Sequence, residues 1–195
     1  MKLNLFILDS MQKQKAQSKL KGLARLKLVA VILGILWTLF LGVLVYGNQL
    51  QNIYFTVSVG MIMLITIAAI AIYIKHIVLI KELDYSQSIT DTQKKLAKLQ
   101  ASTFNNRFIL LQTPFYTTWF WSTEMIQASV IKFCLIAVPI TLLFTVLTIW
   151  LYKNLTPLQM HKKWVNYLLK NDPEQVPVIQ AQKFLNEIEE FKTAS

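Results

Sequence analysis

The sequence predicts an all-α polytopic membrane protein with four transmembrane helices and cytoplasmic helical extensions. Of its 195 residues, 54% are hydrophobic and only 15% are charged, whereas soluble domains average about 25% charged residues. The apolar residues form runs long enough to cross a hydrocarbon core of about 30 Å. Nineteen of the twenty Lys and Arg residues fall on one side of these runs. Composition, run length and charge distribution therefore all indicate an integral membrane protein.

Residues 1–27 form a basic segment that contains seven Lys and Arg residues and a single acid, Asp9. We expect a helix to begin after Asp9 and to continue into the membrane. The residues of this segment near helical spacing are Leu20, Leu23, Leu26 and Lys27. The first span is predicted at about residues 28–46, which carry no charge. Gly34 and Gly42 lie on one face of it and permit another helix to approach closely.

The second apolar run extends from about Ile53 to Ile80, which is longer than a bilayer requires. We therefore predict that the span ends near Tyr73 and that its helix continues into the cytoplasm. The loop of residues 82–107 also has helical character. These two cytoplasmic extensions are predicted to pair as an antiparallel hairpin.

The third span is predicted at about residues 104–121, and it ends in aromatic residues typical of a membrane interface. Gln112 and Pro114 lie inside this span. The fourth span is predicted at about residues 129–152 and contains Pro139. Prolines in membrane helices are most often tolerated kinks, because neighbouring groups satisfy the freed carbonyls.

The positions of the Lys and Arg residues predict the orientation. Seven lie in residues 1–27, six in residues 75–107 and six in the tail of residues 153–195. Because cytoplasmic segments are enriched in these residues, a transmembrane domain over residues 28–152 is expected with both termini cytoplasmic. The net charge of +10 is then expected to face the anionic inner leaflet rather than nucleic acid.

Residues 153–195 are predicted to form two short amphipathic helices. The apolar face of the first has two open interpretations, which are contact with the inner leaflet and contact with a protein partner. The acidic end of the second, with Glu187, Glu189 and Glu190, favours partner binding or docking on the internal hairpin, because anionic headgroups would repel it. The candidate contact residues are Leu158, His161, Lys162, Lys163, Trp164, Leu168, Leu185, Ile188 and Phe191.

No catalytic, cofactor-binding or metal-binding motif is found in the sequence. It lacks a phosphate-binding glycine loop and a Gly-x-Ser-x-Gly turn, and Cys134 and the two His residues have no partner at metal spacing. We therefore expect a non-enzymatic protein without a cofactor. Lys132 and Glu124 form a candidate polar site on the outer side, although a lysine there is more often a snorkelling side chain. His76, as a lone interfacial histidine, is more often packed or solvated than a proton sensor.

Several segments resemble a family of small four-helix membrane proteins of the Bacteroidota that are often encoded beside sigma-70-type sigma factor genes. The segments that carry the resemblance are Ile80–Ser86, Gln93–Leu96 with Leu99, the third span with Pro114, and Phe184–Phe191. The resemblance covers about residues 70–191 and brings no catalytic residues. It implies a location in the bacterial cytoplasmic (inner) membrane and a link to regulation at that membrane.

Two function classes follow from these observations. The first is a regulatory or scaffold subunit whose cytoplasmic helices bind a protein partner. It rests on very short outer turns and on sizeable amphipathic cytoplasmic segments. The second is a small transporter or channel component that works as a homo-oligomer, with Lys132, Gln112 and the two prolines in its pathway. The lack of an acidic residue in the middle of a span counts against this second class.

Overall fold

A computed structural model describes residues 2–48, 51–83, 89–155, 159 and 161–193, and these form helices and no strands. The elements are α1 (Lys2–Asn48), α2 (Ile53–Lys81), α3 (Ile89–Asn105), a 3₁₀ segment (Asn106–Gln112), α4 (Thr113–Thr118), α5 (Thr123–Ala128), α6 (Val130–Lys132), a π segment (Phe133–Ala137), α7 (Val138–Asn154), α8 (Lys163–Lys170) and α9 (Val176–Thr193). The all-α prediction is confirmed for this part of the chain.

Three helices among the described residues are long and apolar enough to cross a membrane, which is typical of an integral membrane protein. They are Ser10–Asn48, Ile53–Lys81 and Val130–Asn154, and they contain the first, second and fourth predicted spans. As predicted, α2 continues beyond Tyr73, and it ends at Lys81. The expected start of the first helix after Asp9 is wrong, because α1 already begins at Lys2. Residues 2–9 contain neither Gly nor Pro, so nothing in this segment interrupts the helix.

The count of four spans is not confirmed, because the third predicted span does not form one long helix. Its described residues divide into the 3₁₀ segment Asn106–Gln112 and the short helix α4, which ends at Thr118. Together these have a length of about 23 Å. This is shorter than a hydrocarbon core of about 30 Å.

Pro114 explains where the third predicted span changes its helical type. A proline has no N–H to donate to the carbonyl four residues earlier, which here belongs to Leu110, and its ring crowds that carbonyl. The Thr113 hydroxyl donates to the Leu110 carbonyl oxygen instead, at 2.8 Å. The tighter 3₁₀ winding before Pro114 and this side-chain hydrogen bond compensate for the missing backbone donor.

Pro139 has a related effect on the fourth predicted span. It lies in the first turn of α7, directly after the π segment Phe133–Ala137. The backbone N–H of Val138 donates to the Phe133 carbonyl, five residues earlier. This wider winding lets the helix continue past a proline without a break, so that Val130–Asn154 remains one helix.

The chain divides into two compact units, and the first comprises Met1–Ala30, Tyr73–Asn105 and Met160–Ser195. Its core collects apolar side chains from four helices. These are Ala16, Leu20 and Leu23 of α1, Ile80 of α2 and Leu83 after it, Leu96 and Leu99 of α3, and Val178 and Ala181 of α9. The end of α2 therefore pairs with α3, as the predicted hairpin requires, and α9 covers this hairpin. The start of α9 thus docks on the hairpin, whereas the side chains of Glu189 and Glu190 at its acidic end lie outside the described residues.

The second unit comprises Val31–Ile72 and Asn106–Gln159. Its buried apolar cluster contains Leu41 of α1 together with Val59 and Ile62 of α2, and Phe115 and Trp119 pack against it. Of the two glycines on the predicted close-approach face, only Gly34 requires the small residue. A Cβ added there would lie 3.1 Å from Ile70 Cγ1, whereas one added at Gly42 would lie 3.9 Å from its nearest neighbour.

Candidate functional site: a buried polar cluster in the first unit

The most buried charge in the described residues is Lys27, whose side chain is completely inaccessible to solvent. Its Nζ donates to Glu174 Oε2 at 2.6 Å, which forms an ion pair. The same ammonium group lies 4.4 Å from the centroid of the Tyr73 ring, a favourable position for a cation–π interaction. A residue of α1 is thus joined to the segment before α9 and to α2.

Glu174 accepts two charge-assisted hydrogen bonds, which are stronger than neutral ones. One comes from Lys27, and the other comes from the Tyr73 hydroxyl, which donates to Oε1 at 2.6 Å. Both oxygens of this carboxylate are therefore occupied, although 17% of the side chain is still exposed. Lys27, Tyr73 and Glu174 are distant in sequence, so their contact exists only in the folded unit. We name these three residues the clamp.

His76 extends the polar cluster from α2 to α3. Its ring lies 6.3 Å from the Tyr73 ring, and its Nε2 is 2.7 Å from Ser102 Oγ. The side chain is only 1% exposed, so the packed alternative for this histidine is correct and the solvated one is wrong. Its Nδ1 has no hydrogen-bond partner within the described part of the chain.

A tight turn before α9 presents Glu174 to the clamp. Asp172 Oδ1 accepts from the backbone N–H of Glu174 at 2.8 Å, and the Asp172 carbonyl accepts from the N–H of Val176. An aspartate that caps its own following backbone in this way fixes a turn. Burial raises the pKa of the Asp172 carboxyl, since the hydrogen bond from the Glu174 backbone only partly offsets the lost solvation.

The chemistry available to this cluster is structural. The Lys27 ammonium group and the Tyr73 hydroxyl both donate to the Glu174 carboxylate, and Lys27 also lies over the Tyr73 ring. Among the described residues, no group of three or more His, Cys, Asp or Glu side chains could hold a metal ion. A buried ion pair contributes little net stability, but removing one partner is costly. The clamp is therefore suited to fixing where the tail lies against α1 and α2.

None of the clamp residues is predicted from the sequence to belong to a site. From the sequence, Lys27 belongs to the basic N-terminal segment, Tyr73 lies at the predicted end of the second span, and Glu174 is one of the acidic residues of the tail. One signal was available, because Ala16, Leu20, Leu23 and Lys27 follow each other at intervals of four, three and four residues. Lys27 thus lies on the buried stripe of α1. Leu26 was also predicted to be near this helical spacing, but its side chain is 41% exposed.

The predicted contact residues of the tail have different environments. On and before α8, His161, Lys163 and Leu168 are exposed, while Lys162 and Trp164 are half-buried. Leu158 lies outside the described residues, as do the side chains of Leu185, Ile188 and Phe191. The side chain of Val165 is fully buried, so it marks the inner face of α8. Tyr167 and Leu168 are exposed and lie on the outer face.

The candidate outer-side site is not assembled. Lys132 and Glu124 are both exposed, and no ion pair joins them in the described residues. The snorkelling alternative for Lys132 agrees with this arrangement. In the second unit Gln112 donates to the Thr66 hydroxyl at 3.1 Å. This is the interhelical hydrogen bonding expected of a polar side chain that packs inside a membrane domain.

Comparisons with known proteins add no family to this description. A scan against protein-family models and searches of the curated proteins and the solved structures found no significant match to the chain. Within its described residues, the chain is an all-helical protein with three helices that could cross a membrane. Its first unit has a shared apolar core and contains a buried ion pair.

Proposed function

We propose that this chain is a non-enzymatic regulatory or scaffold subunit of the bacterial inner membrane, with four spans and both termini cytoplasmic. Its first unit would be the cytoplasmic part that binds a protein partner. The observation that carries the proposal is the shared apolar core of this unit, to which α1, α2, α3 and α9 all contribute. The basic N-terminal segment, the internal loop and the tail thus form a single folded surface instead of three loose segments.

The four-span topology is supported by contacts at both ends of the third predicted span. At one end Arg107 donates to the Leu155 carbonyl at 2.9 Å, directly after α7. At the other end the Asn52 side chain donates to the Trp121 carbonyl at 2.8 Å, directly before α2. Leu155 and Asn52 lie at opposite predicted surfaces of the membrane. The segment between Arg107 and Trp121 would therefore extend from one surface to the other, and the bilayer would thin locally to match its short length.

The partner surface in this proposal is the outer face of α8. Tyr167 is 69% exposed and Leu168 is 47% exposed, and tyrosine is enriched in protein interfaces. The stripe of α9 is not available in the same way, because Val178 and Ala181 are buried in the core of the unit. The resemblance to membrane proteins encoded beside sigma factor genes is consistent with a regulatory partner.

Crosslinking in native membranes, followed by purification of the tagged chain and mass spectrometry, tests this proposal. Deletion of the tail is unsuitable as a control, because it would remove Val178 and Ala181 from the core. Instead we compare the double variant Tyr167→Ser, Leu168→Ser with Ile179→Ser. Ile179 is 38% exposed on α9, so its substitution changes another apolar surface position of the same tail.

The proposal predicts a stoichiometric partner protein that is lost from the double variant and retained by Ile179→Ser. Recovery of the chain alone as a defined oligomer, together with solute flux in liposomes, would instead support the transporter alternative. A partner retained equally by both variants would exclude α8 as the binding surface.

A further inference from the structure

A cavity of about 350 Å³ opens in the first unit between α1 and the end of α2. Three cationic side chains line it, namely Lys21, Arg25 and Lys81, above apolar residues that include Leu20, Ala24 and Ile80. Its volume is within the range of small-molecule sites. We name it the basic cavity, and neither the clamp nor the proposed partner surface uses it.

We infer that the basic cavity binds the phosphate-bearing headgroup of an anionic phospholipid. Lys21, Arg25 and Lys81 form no ion pair within the described residues, in contrast to Lys27, which is paired with Glu174. All three side chains are exposed, so an anion from outside the chain can reach them together. Arginine matches a phosphate with two parallel N–H donors, and lysine adds a mobile point charge.

The spacing of the cations strengthens this inference. Lys21 and Arg25 are four residues apart on α1 and therefore project from the same face, where like charges destabilise a helix by a few tenths of a kcal/mol. Lys81 adds a third positive charge to the same cavity. A bound phosphate would offset the mutual repulsion of these three charges, so the arrangement is suited to binding an anion.

The apolar part of the lining distinguishes a lipid from a free anion. Leu20 and Ile80 belong to the buried core of the unit, with exposures of 1% and 8%. The accessible apolar lining is therefore supplied mainly by Ala24 and by the methylene stems of Lys21, Arg25 and Lys81, and a bare phosphate ion would leave this wall in contact with water. An amphipathic ligand would cover this wall with its glycerol and acyl carbons while its phosphate meets the cations.

The position of the cavity along the chain agrees with a membrane lipid. Arg25 precedes the first predicted span by three residues, or about 4.5 Å along a helix. Arg25 is therefore within a headgroup layer of about 5–7 Å. Lys21 and Lys81 lie seven and eight residues from the predicted span ends at residues 28 and 73, or about 10–12 Å, so the cavity extends from the headgroup level towards the cytoplasm. The lipid source of the phosphate rests on the topology of the proposed function, whereas the affinity of the cavity for phosphate does not.

The test measures lipid binding to the purified full-length chain in a neutral detergent by native mass spectrometry. The probes are short-chain phosphatidylglycerol and phosphatidylcholine of equal chain length. The cavity variant combines Lys21→Gln, Arg25→Gln and Lys81→Gln. The matched control combines Lys15→Gln, Lys19→Gln and Lys98→Gln, which removes three exposed charges that do not line the cavity.

We expect one phosphatidylglycerol to bind in preference to phosphatidylcholine and its affinity to fall about a hundredfold in the cavity variant, since each cation near an anionic surface contributes about 1 kcal/mol. The control is expected to lose only a few-fold. Equal losses in the two triple variants would overturn the site. If the cavity variant loses hydrogen-exchange protection in α1, the single variant Arg25→Gln replaces it, with an expected loss of about fivefold.

A second arm identifies the source of the phosphate by adding inorganic pyrophosphate as a competitor. Failure of pyrophosphate to displace the lipid supports the lipid assignment. Binding of pyrophosphate without binding of phosphatidylglycerol overturns it and assigns the cavity to a soluble phosphorylated ligand. None of these readouts uses the partner, so failure here is distinguishable from failure of the proposed function.

Discussion

Neutralising Glu174 is the most direct perturbation of the clamp. The substitution Glu174→Gln preserves the size of the side chain but leaves the ammonium group of Lys27 buried without a counter-charge. Because Lys27 is completely inaccessible to solvent, water cannot replace the lost partner. Breaking a buried ion pair from one side costs about 3–5 kcal/mol. The stranded lysine can also lose its proton. For a lysine with the ordinary pKa of about 10.4, deprotonation at pH 7 costs about 5 kcal/mol, so the cost of Glu174→Gln cannot exceed about this value.

The opposite substitution is expected to be much milder. In Lys27→Met the remaining Glu174 is 17% exposed and still accepts from the Tyr73 hydroxyl. The carboxylate can therefore recover hydration by a small movement, and we expect a cost of about 1 kcal/mol. The double variant Lys27→Met, Glu174→Leu removes both charges and avoids the cost of burying them. It also removes the acceptor of the Tyr73 hydroxyl, so we expect a net cost of about 1 kcal/mol, well below that of Glu174→Gln.

Hydrogen–deuterium exchange of the purified chain measures these costs where the clamp acts. The amides of residues 176–183 at the start of α9 report the opening of the tail from the rest of the unit. For Glu174→Gln we expect their protection to fall about a hundredfold, which corresponds to about 3 kcal/mol. For Lys27→Met we expect a fall of less than tenfold.

A matched control for the charge change is Glu187→Gln, also in α9. Glu187 accepts a hydrogen bond from the Gln12 side chain at 2.9 Å, and a glutamine can still accept it. This variant is therefore expected to leave the protection nearly unchanged. The reasoning is refuted if Lys27→Met reduces the protection as much as Glu174→Gln does, because the cost would then not come from a stranded buried charge.

Three further predictions concern other sites. Because burial raises the pKa of Asp172 in the folded state, the protonated carboxyl favours folding, and its contribution is lost as the pH rises above about 4. Asp172→Asn should therefore remove part of the pH dependence of tail protection. Thr113→Val frees the Leu110 carbonyl and should lower stability by about 1 kcal/mol in thermal unfolding. Gly34→Leu places a large side chain against Ile70 and should cost about 1–3 kcal/mol.

Each of these predictions has a control in the same chain. An unchanged pH profile for Asp172→Asn would contradict the role of its buried carboxyl. Thr145→Val removes a hydroxyl bonded to the Thr141 carbonyl within a regular helix, and an equal loss there would refute the special role of Thr113. Gly42→Leu should be milder than Gly34→Leu, because the nearest atom to an added Cβ is 3.9 Å away, and equal effects would contradict the close approach.

The relation between sequence and fold differs between the two proline-containing spans. Both Pro114 and Pro139 were predicted to be tolerated inside membrane helices, and neither stops the chain from continuing in a helical form. Which winding compensates for each proline could not be predicted, because 3₁₀ and π geometries differ by small energies that depend on neighbouring side chains. The tight segment before Pro114 is the reason that the third predicted span, and with it the count of four spans, is not confirmed.

The candidate site was less predictable than the fold. A pattern of spacing places a residue on a helix face, but it does not reveal which distant segment covers that face. Lys27 shares its face with Leu20 and Leu23, and this could have been read from the sequence. Its partner Glu174 lies 147 positions away, and no local signal connects the two. The basic cavity likewise depends on α1 and α2 lying side by side.

By itself, the sequence determined the class of protein, the positions of three long apolar helices and the hairpin that follows the second one. These features depend on run length, helical period and charge, which are local properties of the chain. Only the tertiary structure decided that the tail covers the hairpin, that Lys27 is buried and paired with Glu174, and that three cations surround one cavity. Contacts between distant segments depend on which faces meet, and many pairings satisfy the same local pattern.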